Sequence, residues 1–247
     1  MKKLLQNTLN LSIIVSVLVV FILVRWNAGF VALAVALAFE CLNGRRPNEA
    51  WLDSLERALP WLVAPVSIVL MMILAPKPGT QVFLAAGLLV WWWWSHKEPL
   101  KRWAWLLTAG VSQSLLLTAL FAGIALRHWP TWLILVLAWG GSFLLSEQLL
   151  TRLQERQVRI LASAWALIVT ELSWVFSVWL VSYVTPGGYF LIPQATIIIM
   201  SLSYCFTSIY LAHRGGRLSK ARLAEYAIIG LGLVSIVIAG TKWNGSI

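Results

Sequence analysis

Nine apolar stretches recur along the chain, at 9–24, 28–42, 59–75, 80–95, 103–126, 129–146, 160–184, 191–212 and 223–240, with short polar gaps between them. About 20 helical residues cross about 30 Å of hydrocarbon. The pattern therefore predicts an all-α fold, a polytopic transmembrane helical bundle of about nine spans, of which the second and fourth are short. No gap is long enough to hold a folded unit, so residues 1–247 read as a single membrane-embedded domain. Segment 43–57 predicts an amphipathic helix lying flat on the interface or docking a partner. Pro47 suits its first turn, and Trp51, Leu52 and Leu55 share one face opposite Glu49, Asp53 and Glu56. The gap 185–194, with Pro186, Gly187, Gly188 and Pro193, is an uncharged outer turn.

Charge gives the pattern a direction. Counted gap by gap from the N-terminus, Lys and Arg number 2, 1, 3, 1, 3, 1, 3, 0, 4 and 1, which places 15 on one side and 4 on the other. Basic residues accumulate in cytoplasmic loops. The expected topology has the N-terminus inside, the C-terminus outside, and 213–225 as the most basic cytoplasmic loop, in the plasma (inner) membrane. Lys2 and Lys3 precede a run too long for a secretory signal, so the first helix is read as retained.

Composition agrees: 60% hydrophobic and 11% charged residues exclude a water-facing globule. The net charge of +10 lies in short gaps rather than in a stripe or arm. That arrangement suits anionic phospholipid headgroups and not nucleic acid. Trp91–Trp94, Trp103 and Trp105 on the inner side, with Trp129 and Trp132 on the outer, read as interfacial belts. Cys41 and Cys205 fall at different depths, so no disulfide is expected.

Candidate chemistry is sparse. Glu171 is the one acid deep within a predicted span, and such a group needs a hydrogen-bonding partner, a counter-charge or water. Gln113 and Tyr204 lie near the middle of the fifth and eighth spans, and Thr170, Trp174 and Ser177 share the helix of Glu171. These six form the candidate buried polar cluster, with hydrogen bonding between helices as the structural alternative. Arg214, Arg217, Lys220 and Arg222 form a candidate anionic-lipid site, with plain topology charge as its alternative. HExxH and CxxC motifs are missing, and His96, His128 and His213 sit in separate gaps. No metal, cofactor or catalytic residue is expected. The outer gaps hold no Asp or Glu, which disfavours an outward-facing active site.

In the last third, Glu171 and Trp174 stand three apart in one helix, before the turn at Pro186 and a helix bearing Tyr204. Gly216, Arg217 and Leu218 follow in a cytoplasmic loop, Glu225 and Tyr226 open the final helix, and Thr241 and Trp243 lie near its end. In these features residues 170–243 resemble a family of uncharacterised bacterial multi-pass integral membrane proteins. Thr185 and Pro186 stand where that family has Leu-Pro. The resemblance implies a bacterial membrane location and no activity. Three functions remain open: a subunit or scaffold of a membrane complex (a homo-oligomer included), a transporter using Glu171, and an enzyme acting on lipid at the cytoplasmic face.

Overall fold

The computed structural model describes the backbone of residues 2–43, 51–95, 102–179, 181–184, 191–216 and 219–239, and side chains within 11–39, 59–95, 105–179, 181–183, 191–216 and 219–235. Among these are nine helices: α1 (Lys2–Arg25), α2 (Gly29–Asn43), α3 (Trp51–Leu74), α4 (Pro78–Ser95), α5 (Arg102–Arg127), α6 (Thr131–Arg152), α7 (Val158–Val178), α8 (Gln194–Arg214) and α9 (Lys220–Ala239). One short hairpin, β1 (Ser182–Val184) with β2 (Leu191–Pro193), interrupts them. The fold is otherwise all-helical. Four stretches, Trp105–Arg127, Thr131–Arg152, Val158–Val178 and Gln194–Arg214, are each long and apolar enough to cross a membrane, which marks a membrane protein.

Three boundaries differ from the sequence pattern. Residues 51–57 are the opening turns of α3 rather than a separate surface helix, because the helix runs on through Pro60 and Pro65. Proline keeps a helical φ but forfeits its N–H bond and crowds the carbonyl four residues earlier, a cost that the packing of α3 against its neighbours offsets. The seventh apolar stretch stops being helical at Val178, and Tyr183 and Val184 pair antiparallel with Ile192 and Leu191. β-Branched and aromatic residues beside a Pro-rich turn favour this extended pairing. Of the expected outer turn at 185–194, Leu191–Pro193 form β2 and Gln194 opens α8, and 185–190 lie outside the described residues. Likewise His213 and Arg214 end α8 and Lys220 opens α9, so the basic loop is shorter than 213–225.

Period-3.6 apolar faces build the core. Ile13, Val17, Val20 and Val24 of α1 meet Ala32, Ala36 and Phe39 of α2, Ile68 and Met72 of α3, and Leu84, Leu88 and Trp92 of α4. The neighbouring face of α3, at Val63, packs with Leu116 and Leu120 of α5 and with Ile134, Ala138 and Leu145 of α6. Leu117 and Phe121 on another face of α5 meet Val169 of α7 and Ala195 and Ile199 of α8. Helices α3 and α5 therefore join an N-terminal four-helix group to the C-terminal helices. Helix α9 packs chiefly on α8.

The tandem tryptophans divide between core and surface. Trp92 is fully buried and its ring lies 4.2 Å from that of Phe39, and Trp91 is also buried. Trp93 faces outward. Successive residues point about 100° apart, so a run of four cannot share one environment.

Candidate functional site

The six residues of the expected polar cluster do not converge. Gln113 is buried at 7% exposure on the α5 face that also carries Leu117 and Phe121, and its amide nitrogen has no hydrogen-bond partner. On α7 the inward residues are Ala162, Ala166, Val169 and Ser173. Glu171 sits two positions from both Val169 and Ser173, about 160° round the helix, and is exposed on the outside of the bundle. Trp174 shares that outward face at 58% exposure. Thr170 donates to the Ala166 carbonyl at 2.7 Å and Ser177 to the Trp174 carbonyl at 2.7 Å, so neither turns its hydroxyl to the carboxylate. On α8, Phe206 meets Trp165 of α7 edge-on at 5.7 Å. Tyr204, two residues earlier, points away from α7 and is exposed. With α7 ending at Val178, Glu171 lies seven residues, or about 10 Å, from the C-terminal end of the helix.

Several serine hydroxyls of α5 and α8 bond within their own helices. Ser112 donates to Thr108 O at 2.8 Å, Ser201 to Ile197 O at 2.8 Å and Ser203 to Ile199 O at 2.7 Å. Back-bonding of this kind satisfies a hydroxyl locally and leaves it unavailable to a passing solute. Thr118 and Thr196 form a bond between helices, at 3.5 Å.

A polar assembly that sequence reasoning missed lies at one end of the bundle. Helix α6 finishes in a Schellman turn: Gln154 adopts φ 55°, its N–H bonds to Thr151 O at 3.0 Å, and the Glu155 N–H returns to Leu150 O at 3.1 Å. This turn presents Glu155 to the last turn of α8, where Tyr210 and Arg214 share a face at i, i+4 spacing. The Tyr210 hydroxyl donates to Glu155 Oε2, Arg214 Nη1 lies 3.3 Å from the same oxygen, and Arg214 Nη2 donates to Gln154 O at 3.2 Å. Two helices apart in sequence, the α6–α7 turn and the end of α8 are clamped together. The residue types were legible, but nothing in the sequence pairs position 155 with 210.

Neighbouring contacts extend this end. The Arg152 guanidinium sits 4.5 Å over the Trp105 ring, and Trp105 meets Trp61 edge-on at 5.0 Å. Glu147 and Arg159 approach at 3.5 Å, an exposed pair worth at most about 1 kcal/mol. Of the expected lipid-site residues, Arg214 is engaged by Glu155, and Lys220 and Arg222 lie in the first turn of α9, where the Arg222 N–H donates to Ser219 Oγ at 3.3 Å. Arg217 lies outside the described residues. Among the described residues no group of His, Cys, Asp and Glu is placed to hold a metal.

The Tyr210 hydroxyl holds the Glu155 carboxyl below its ordinary value of 4.5. Partial burial opposes this, and the Arg156 backbone and the Arg214 charge add to it. A lowered folded value means that the carboxylate stabilises the fold fully above pH 4.5, and that this contribution fades as pH falls through the folded value. Thermal unfolding followed between about pH 3 and 6 should therefore show an acid-side loss that is smaller in Glu155→Gln and in Tyr210→Phe. Equal acid sensitivity in all three proteins would remove the clamp as its source.

No protein family, curated protein or solved structure matches the chain. The functional reading rests on this geometry.

Proposed function

We propose that this chain is a non-enzymatic subunit or scaffold of a membrane complex, embedded in the cytoplasmic membrane through nine spans with its N-terminus inside. The observation that carries this reading is the outward placement of polar side chains on helices long enough to span. Glu171 on α7 and Tyr204 on α8 face away from the bundle, whereas the hydroxyls of α5, α7 and α8 bond largely to their own helices. Polar groups turned toward lipid are costly unless a neighbour in the membrane meets them. A transport path would need the opposite arrangement, with those groups facing a shared interior.

The topology is supported by contacts that tie alternate gaps to one end. Trp61 with Trp105, Arg152 with Trp105, and Arg214 with Glu155 connect the starts of the α3 and α5 apolar runs, the α6–α7 turn and the end of α8. These flank the four internal basic gaps of the chain. Positive-inside bias would make this end cytoplasmic, where anionic phospholipid headgroups meet Lys220 and Arg222.

Native mass spectrometry after gentle extraction from the source membrane tests the assignment. A second protein at fixed stoichiometry is the expected result. A chain released alone, carrying a small molecule that disappears in Gln113→Leu, would favour a transporter built around the unpartnered Gln113 amide.

A further inference from the structure

Helix α7 packs along α6 with the most extensive contact between any two elements of the described fold. That packing fixes the rotation of α7, because the inward positions Ala162, Ala166, Val169 and Ser173 recur at helical spacing. The opposite face is consequently determined too. It carries Ile160, Leu167, Glu171, Trp174 and Val178, spaced seven, four, three and four apart. Four of the five are large and apolar, as lipid-facing positions should be, and the fifth is a carboxylate about 10 Å from the helix end.

Within the described fold Glu171 makes no hydrogen bond or ion pair, and its helical neighbours Thr170 and Ser177 are committed to carbonyls of their own helix. Among the residues with described side chains, Lys and Arg lie in the gaps or at helix ends, and none pairs with it. A second copy docking isologously on this face would bring two acids together and supply no cation, whereas a basic or amide donor satisfies the carboxylate directly. Charge complementarity selects a different occupant.

We infer that the outward face of α7 docks a transmembrane helix of another protein, and that this helix presents a basic or amide side chain to Glu171 about 10 Å from the C-terminal end of α7. This inference rests on the complex-subunit reading and adds to it the surface and the chemistry of the partner. Leu167 and Trp174 flank the carboxylate one turn away on either side and supply the apolar contact. Interhelical hydrogen bonds of this kind join otherwise lipid-soluble helices and fix their rotational register.

The experiment uses the full chain in its source membrane with a photo-crosslinking amino acid placed at Leu167 or Trp174, and at Trp139 on the outside of α6 as a control face. The expected adduct forms from 167 and 174, and its partner peptide maps to a transmembrane helix with Lys, Arg, His, Asn or Gln within one turn of the crosslink. Glu171→Leu should lower that adduct roughly tenfold or more, the loss of one hydrogen bond to a charged group, while the melting temperature of the purified chain stays unchanged. Glu171→Gln, which keeps an acceptor, should retain part of it. Full adduct yield in Glu171→Leu overturns the proposal, as does an adduct with a second copy of this chain. Crosslinking of a partner from Trp139 alone overturns it while leaving the subunit reading intact. Absence of any protein adduct together with a chain that extracts alone ends both.

Discussion

Trp92→Ala should lower the stability of the bundle by about 3 kcal/mol, whereas Trp93→Ala, one residue on, should change it by no more than about 0.5 kcal/mol. Trp92 is fully buried among α1, α2, α3 and α4 and packs its ring, tilted, against Phe39, so truncation leaves a cavity bordered by four helices. Trp93 is 48% exposed on the outside of α4, where the surrounding medium fills the space of the lost atoms. The expected loss lies at the low end of the range for buried tryptophan in water. An unfolded helix that stays in lipid keeps its apolar surroundings, and only the packing part of the loss remains. Reversible denaturant unfolding in mixed micelles measures both variants. A comparable loss in the two would show that the tryptophans act through the interface and not through the core.

Gly123→Ala should destabilise by about 1–3 kcal/mol, because a Cβ there would stand 2.3 Å from Cε3 and 2.7 Å from Cδ2 of Trp129. A rigid indole cannot yield as the tip of a leucine can. Its backbone is also held, between His128 at φ 53° and Pro130, with the Trp129 N–H returning to Gly123 O at 3.3 Å. Gly87→Ala and Gly140→Ala provide the contrast. A Cβ at either position meets nothing within 4 Å, so both should stabilise their helices by roughly 0.5–1 kcal/mol. Combining Gly123→Ala with Trp129→Ala should cost less than the two changes summed, since the clash is then gone. Strict additivity in that double variant would place the strain elsewhere.

The legible and the hidden parts of this protein separate along one line. Helical class, the positions of the long apolar runs and the clustering of basic residues depend on composition and on 3.6-residue periodicity, both local properties. A long apolar run such as 191–212 becomes helix over most of its length because only a closed hydrogen-bond pattern satisfies a backbone away from water. Local pattern failed where two conformations were close in energy. Residues 182–184 ended as a strand because Leu191–Pro193 lay opposite to pair with them. Residues 51–57 joined α3 because nothing interrupted the helix before Pro60.

Which face of each spanning helix turns inward was not encoded in those runs. In an apolar solvent both faces of a helix are hydrophobic, so the pattern that orients a helix in water is faint. Rotation is decided instead by packing, as when α7 buries Ala162, Ala166 and Ser173 while packing along α6, and Phe206 of α8 meets Trp165. Those contacts carried Glu171 and Tyr204 to the outside and left Gln113 within, dispersing residues that their shared depth in the sequence had grouped. They also brought Glu155 to Tyr210 and Arg214 across two helices. The sequence by itself determined that the chain is helical, lies in a membrane and concentrates positive charge in alternate gaps. Tertiary structure alone decided which polar groups meet, because side-chain direction follows from how neighbouring helices interlock.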